Sequence, residues 1–287
     1  MKSLMLLIKG FIMGIANIIP GVSGGTLALT LGIYEDFINA ISHFFSDFKK
    51  NIKFLVPVFI GMGLSIVTMS NFISYAFDHF PIPTTLFFMG LVVGGIPMLT
   101  NKVKGGNDKK KVSSYIIMIL TFASVMVLAF SNEIFGSGLG EVNLANIDIT
   151  GYILLFLVGI VAAATMVIPG VSGSLVLMLL GYYKPVVDTI KELTHFNNIG
   201  HNLMICIVLG LGIVIGIVAI AKIIEWLLKK YETKTYFGVL GFIIASVIAI
   251  PVSVMHEVTI SFDIVQGIIG IVFIVLGYII GNKLGEK

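Results

Sequence analysis

The chain contains no arginine: all 18 of its basic residues are lysines, against 15 Asp and Glu, for a net charge of +3. The lysines sit in a few short stretches and form no diffuse basic field, which argues against nucleic-acid binding. Charge of either sign is scarce. Only 11% of the 287 residues are charged and 57% are hydrophobic, with a mean hydropathy of +1.06. A soluble domain carries about 25% charged residues, so this sequence has too little polar surface to coat a soluble globule. Cys206 is the single cysteine, which excludes an internal disulfide framework and argues against a metal–thiolate site. His43, His79, His195, His201 and His256 fall in or beside expected loops without ligand spacing, so no metal is assigned. No nucleotide-binding motif is apparent, no cofactor is expected, and no coupling ion is specified.

Long apolar runs are abundant. Several are long enough to cross a hydrocarbon core about 30 Å thick. The N-terminal run resembles a signal peptide only weakly. Lys9 and Gly10 interrupt it, no small-residue cleavage site follows, and the same kind of segment recurs mid-chain, so it reads as mature protein.

The recurrence is a duplication. IPGVSGGT at 19–26 returns as IPGVSGSL at 168–175, an offset of 149 residues. The same offset carries Gly10 to Gly159, Gly32 to Gly181, Tyr34 to Tyr183, Gly61 to Gly210 and Gly63 to Gly212. Gly90 matches Gly241 only if the offset grows to 151. The first unit spans 1–140, with a broken apolar segment at 4–34 and spans at 52–76, 84–100 and 112–130. The second spans 150–287, with a broken segment at 150–183 and spans at 203–228, 235–254 and 262–281.

Lysine asymmetry orients the spans. Lysines cluster at 102–111, 49–53 and 229–234 and close the chain at Lys283 and Lys287. Loops 77–83, 131–149 and 255–261 have none. These loops alternate if each broken segment enters and leaves on one side. Loop 184–202, with Lys184 and Lys191, is the exception. The expected fold is an all-α integral membrane protein of two inverted-topology repeats. Each is a re-entrant helical hairpin plus three transmembrane helices, and both termini are cytoplasmic.

Pro20 and Pro169 break their segments, because proline removes a backbone donor and obstructs the preceding turn. Irregular backbone at membrane depth survives only where protein or a watery cavity surrounds it. Each tip also starts a helix, whose first amides lack helical partners and whose dipole favours an anion. Gly21, Val22, Gly24, Gly25, Gly170, Val171 and Gly173 would bring backbone amides close to such an anion, and Ser23, Thr26, Ser172 and Ser174 add hydroxyls. The plainer alternative is that Pro-Gly kinks two spans and small residues let helices pack closely. Asn17, one turn before Pro20, could donate to an anion or cap freed backbone. Glu35 and Lys184 stand at equivalent ends of the two segments, as charge partners or as plain interfacial charges. Lys222 and Glu225, three apart, are expected to pair on one helix face. Trp226, Tyr231 and Tyr236 suit an interfacial belt.

The stretch MGIANIIPGVSGGTLALTLGIYEDFI at 13–38 resembles the signature of the PopT family of bacterial polyprenyl-phosphate transporters, through Asn17, Pro20, Gly21, Ser23, Gly24, Gly25, Thr26, Gly32, Tyr34 and Glu35. The second copy departs from it with Ser174 for Gly25, Leu175 for Thr26 and Lys184 for Glu35, which bears on symmetric roles for the tips. The resemblance implies a transporter in the bacterial cytoplasmic membrane, not an enzyme. It would return undecaprenyl phosphate from the outer to the inner leaflet for cell-wall polymer synthesis. Alternatives are a small-anion channel or carrier for phosphate or chloride, a lipid-phosphate enzyme, and an assembly factor. Association of several copies is left open.

Overall fold

The structure is a computed structural model that describes residues 2–18, 22–105, 112–130, 142–145, 147–170, 173–194, 196, 198–257 and 264–285. Among these residues there are thirteen helices and no strands. In chain order they are α1 (Lys2–Ile18), α2 (Gly24–Thr30), α3 (Tyr34–Ser42), α4 (Phe48–His79), α5 (Pro81–Gly94), α6 (Ile96–Gly105), α7 (Val112–Ala129), α8 (Ile149–Val167), α9 (Gly173–Leu179), α10 (Tyr183–Thr194), α11 (Ile199–Lys230), α12 (Glu232–Glu257) and α13 (Ile264–Gly285). Among the described residues six stretches are long and apolar enough to cross a membrane: Phe48–Met69, Pro81–Lys104, Val112–Ala129, Ile199–Lys230, Glu232–Val252 and Ile264–Leu284. They overlap the six expected spans. The outer faces are apolar too, with Val67, Ile119, Leu120 and Val214 well exposed, as a lipid solvent allows.

Both broken segments follow one plan: a long helix, a short helix, a tight turn and an amphipathic helix. The short helices α2 and α9 have seven residues each, 149 positions apart. Both end on a left-handed glycine, Gly32 (φ 68°) and Gly181 (φ 76°). The turns are closed identically, by Ile33 N–H to Ala28 O and Tyr182 N–H to Leu177 O. This is the Schellman arrangement, in which glycine takes the left-handed position without a Cβ penalty.

The register then shifts. The 32-residue helices α4 and α11 begin 151 positions apart, because α10 is three residues longer than α3 and the link after it is one residue shorter. The equivalence of Gly61 with Gly210 is therefore corrected. A Cβ on Gly61 would strike Leu7 O of α1 and one on Gly212 would strike Phe156 O of α8, whereas Gly63 and Gly210 have nothing within 4 Å. Gly61 and Gly212 are the contact pair. A residue two positions along a helix points to a different face.

Within each half the first helix packs on the long one, α1 on α4 and α8 on α11. The remaining spans pair across the halves, α5 with α13 and α7 with α12. Glycines let these backbones close up. Cβ atoms on Gly90 and Gly94 would strike carbonyls of Ile274 and Tyr278, and those on Gly277 and Gly281 would strike Phe87 and Leu91. Both faces are small-xxx-small stripes, the packing device of membrane helices. Between α5 and α6 the helix breaks at Gly95, one residue before the Ile96–Pro97 start of α6, and a side chain at Gly95 would meet Thr30 at the end of α2. The largest core cluster gathers around α2 and α3, including Met13, Leu27, Leu31, Ile38, Val92 and Ile243.

Candidate functional site

The first break is tightly organised. Ser23 is the N-cap of α2, with extended backbone (φ −103°, ψ 137°), and its Oγ accepts from Gly25 N–H at 3.2 Å. Asn17, on the last turn of α1, accepts from Gly24 N–H through Oδ1 at 3.2 Å. Thr26 N–H donates to Ser23 O at 3.0 Å. The opening amides of α2 thus all have acceptors within the chain. Asn17 thus caps a backbone group, and among the described residues its Nδ2 has no acceptor. Val22, Ser23 and every residue of α2 are buried.

The two breaks meet. Gly170, just after Pro169, donates its N–H to Thr26 Oγ1 at 2.7 Å, and Tyr34 OH donates to Val167 O at 3.2 Å. Both backbone groups belong to the end of α8, where the helix breaks, and both are supplied with partners by the first half. Gly170 has φ 84°, and a Cβ there would lie 2.5 Å from Phe242 O of α12. Only glycine fits without strain. Gly173 is the first residue of α9. Pro20, Gly21, Val171 and Ser172 lie outside the described residues, as does the side chain of Ser174.

Sequence reasoning treated Lys9 only as an interruption. It is 5% exposed and donates to Leu31 O at 2.6 Å, at the carboxyl end of α2. A lysine within an apolar helix is itself a signal of a functional or structural polar contact. Glu35 joins three elements. Its Oε1 meets Lys102 Nζ of α6 at 2.8 Å and accepts from Tyr236 OH of α12, beside a cavity of about 230 Å³. Glu35 lies outside the six long apolar stretches. Burial pushes its carboxyl upward, but hydrogen bonds from Lys102 and Tyr236 outweigh that and hold it below the usual carboxylate value. Its counterpart Lys184 sits 3.3 Å from Asp188 on the same helix, both exposed. The expected Lys222–Glu225 pair is corrected: Glu225 pairs with Lys229, and lies 3.4 Å from His43 of the first half. Lys230 stacks over Trp226 and Tyr231.

Two apolar grooves lie between the helices, and one of them reaches the second break. One, of about 460 Å³, runs between α7, α11 and α12 and reaches Ile168 and Pro169. The other, of about 360 Å³, lies between α1, α4, α5 and α13. They are repeats of one another. Met69, Phe72, Ile73, Ala76, Thr84, Phe87, Phe88 and Leu91 of the second groove reappear 151 positions later as walls of the first.

Residues 13–266 match a family described as VCA0040-like, undecaprenyl phosphate translocase-like. A polyprenyl-phosphate transporter of Staphylococcus aureus is 33% identical over 281 residues, covering 98% of this chain and 95% of the relative. A polyprenyl-phosphate transporter of Vibrio cholerae is 29% identical over 253 residues, covering 83% and 74%. No solved structure matches the chain. Six membrane-crossing stretches, two joined breaks and likeness along nearly the whole chain lead to one assignment: this multi-pass membrane protein belongs to the undecaprenyl phosphate translocase-like family.

Proposed function

We propose that the protein carries undecaprenyl phosphate from the outer to the inner leaflet of a bacterial cytoplasmic membrane, returning the lipid carrier for synthesis of peptidoglycan and teichoic acid. The observation that carries this reading is the meeting of the two repeated breaks, with Gly170 N–H on Thr26. The names of the relatives support the cargo. A phosphate monoester carries about −1.5 to −2 charge at pH 7, and a bare charge at the bilayer centre is expensive, so the head needs a polar station at mid-depth. Asn17 Oδ1 and Ser23 Oγ occupy the α2 amides as neutral placeholders. Phosphate oxygens are stronger acceptors, since charge-assisted hydrogen bonds are about twice as strong as neutral ones. They would displace both and leave Asn17 Nδ2 as a further donor.

In this reading the halves are inverted repeats, the broken segments re-enter from opposite sides, and rocking of one half against the other alternates access. Apolar grooves between the helices suit a lipid better than a small ion. Topology is checked by single cysteines at Lys104 and Ala145 in a Cys206→Ser background: an impermeant thiol reagent on intact cells should label 145 and spare 104. Function is checked with purified protein in liposomes. Undecaprenyl phosphate should reach a reagent in the opposite compartment faster than in empty liposomes, and Ser23→Ala and Gly24→Val should lose that gain. Unchanged lipid crossing with passage of chloride or inorganic phosphate would replace this reading with a small-anion carrier.

A further inference from the structure

The groove between α7, α11 and α12 has a chemistry its repeat lacks. Its hydroxyls turn inward: Thr121 Oγ1 donates to backbone carbonyls including Gly238 O at 2.9 Å, Thr235 Oγ1 to Tyr231 O at 2.9 Å, and Tyr34 OH to Val167 O. What remains toward the groove is mostly apolar, with Ile117, Ile220, Ile223 and Ile224 beside the rings of Tyr231 and Phe242, and Ile223 about half exposed at the outer surface. One cation stands among the residues that line it, Lys234, with its ammonium 5.5 Å from the Tyr231 ring. Ile168 and Pro169, beside the joined breaks, line it too. In the repeated groove, the positions of Tyr231 and Lys234 are Phe80 and Pro83, and no charged residue lines the wall.

An apolar channel open at the bundle surface, with one ammonium, that of Lys234, among its described lining residues, is complementary to a single hydrocarbon chain with an anionic head. We propose that this groove is a docking site for polyprenyl monophosphate, with the first isoprene units on the isoleucine wall and the phosphate against Lys234. This rests on the proposed transport function and adds the station where the lipid is held beside the breaks. The volume is within the range of about 300–1,000 Å³ that takes one small ligand, so it suits part of one chain better than the paired tails of a phospholipid. The lysine-free repeat would receive the hydrocarbon without fixing the head. The two grooves then differ in retention: the Lys234 side holds the phosphate and its repeat does not.

The test is photo-crosslinking of the full chain in nanodiscs with a benzophenone-bearing geranylgeranyl phosphate, alongside the liposome transport assay. Label should fall on α7, α11 and α12, and unlabelled polyprenyl phosphate should compete while excess phosphatidylglycerol does not. Ile223→Trp, which fills the groove from its exposed rim, should remove most of that label. Lys234→Gln should weaken competition by the phosphate about fivefold, the upper end for a partly exposed ion pair, and leave competition by uncharged polyprenol unchanged. Label outside the groove, label insensitive to Ile223→Trp, or equal competition by phosphatidylglycerol overturns the docking site; if the wild type still transports, the function stands without it. If neither transport nor competition by polyprenyl phosphate is seen, the function falls as well.

Discussion

In the first half, the helix after the break is fully buried, its opening amides are held by Asn17 and Ser23, and Lys9 closes its far end. In the second half, the break is fixed by a left-handed glycine pressed against Phe242, and Ile168 and Pro169 form part of a groove wall. The same motif has been put to different uses. At the matching positions the second half has Val158 for Lys9, Met166 for Asn17, Leu175 for Thr26 and Lys184 for Glu35. Leucine has no hydroxyl to accept a hydrogen bond, so the residue at 175 cannot do for the second half what Thr26 does for Gly170. Duplication kept the backbone plan, which needs Pro, Gly and the left-handed turn. Lys9, Asn17 and Thr26, by contrast, have apolar counterparts in the second half.

The strongest way to break this asymmetry is Gly170→Val. A β-branched residue at φ 84° is strained by about 1–3 kcal/mol, and the clash with Phe242 adds to it. Transport should be abolished and the thermal midpoint of the purified protein should fall. The register is sharpened by a set of alanines. Gly61→Ala and Gly212→Ala force backbones apart and should each destabilise by about 1–3 kcal/mol. Gly63→Ala and Gly210→Ala meet open space and should leave the midpoint unchanged or slightly raised. Equal loss at Gly210 and Gly212 would contradict the 151-residue register.

Thr26→Val tests the one-way bond. It keeps the shape but leaves Gly170 N–H without its acceptor, at about 1–2 kcal/mol, and Thr26→Ser should restore both stability and transport. The smallest effect is expected at Glu35→Gln. Glu35 is half exposed, so losing its charge should cost about 0.5 kcal/mol. The sign with pH is set by its depressed carboxyl. The pairing with Lys102 is complete above the ordinary carboxylate value and is lost as pH falls through the lower value Glu35 has in the fold. Melting curves below neutrality should therefore slope in the wild type and flatten in the variant.

Much of this was legible in the sequence. Proline and glycine at the breaks, and glycine after each short helix, announce backbone events that few other residues permit, and the spans follow from hydropathy. The register shift was hidden because glycines two apart occur in both halves, so Gly61 could be matched to either Gly210 or Gly212; only the partner helix distinguishes them. Glu225 had a lysine three residues before it and another four after it. A glutamate preceding lysine by four is the better arrangement, and Lys229 is the partner found. The contact between the two breaks, and the role of Lys102 and Tyr236 beside Glu35, depend on residues far apart in the chain and left no local signal.

The exchange of partners between halves bears on how the chain is made. Helix α5 leaves the ribosome well before α13, the helix its glycine stripe fits. Until then Gly90 and Gly94 face lipid or some other transient neighbour. The first half therefore cannot finish assembling before the second has been inserted, and a chain cut after α12 would strand α5 while leaving α7 correctly paired. Separately expressed halves could restore the protein only by meeting in the same membrane, where α5 and α7 would find α13 and α12.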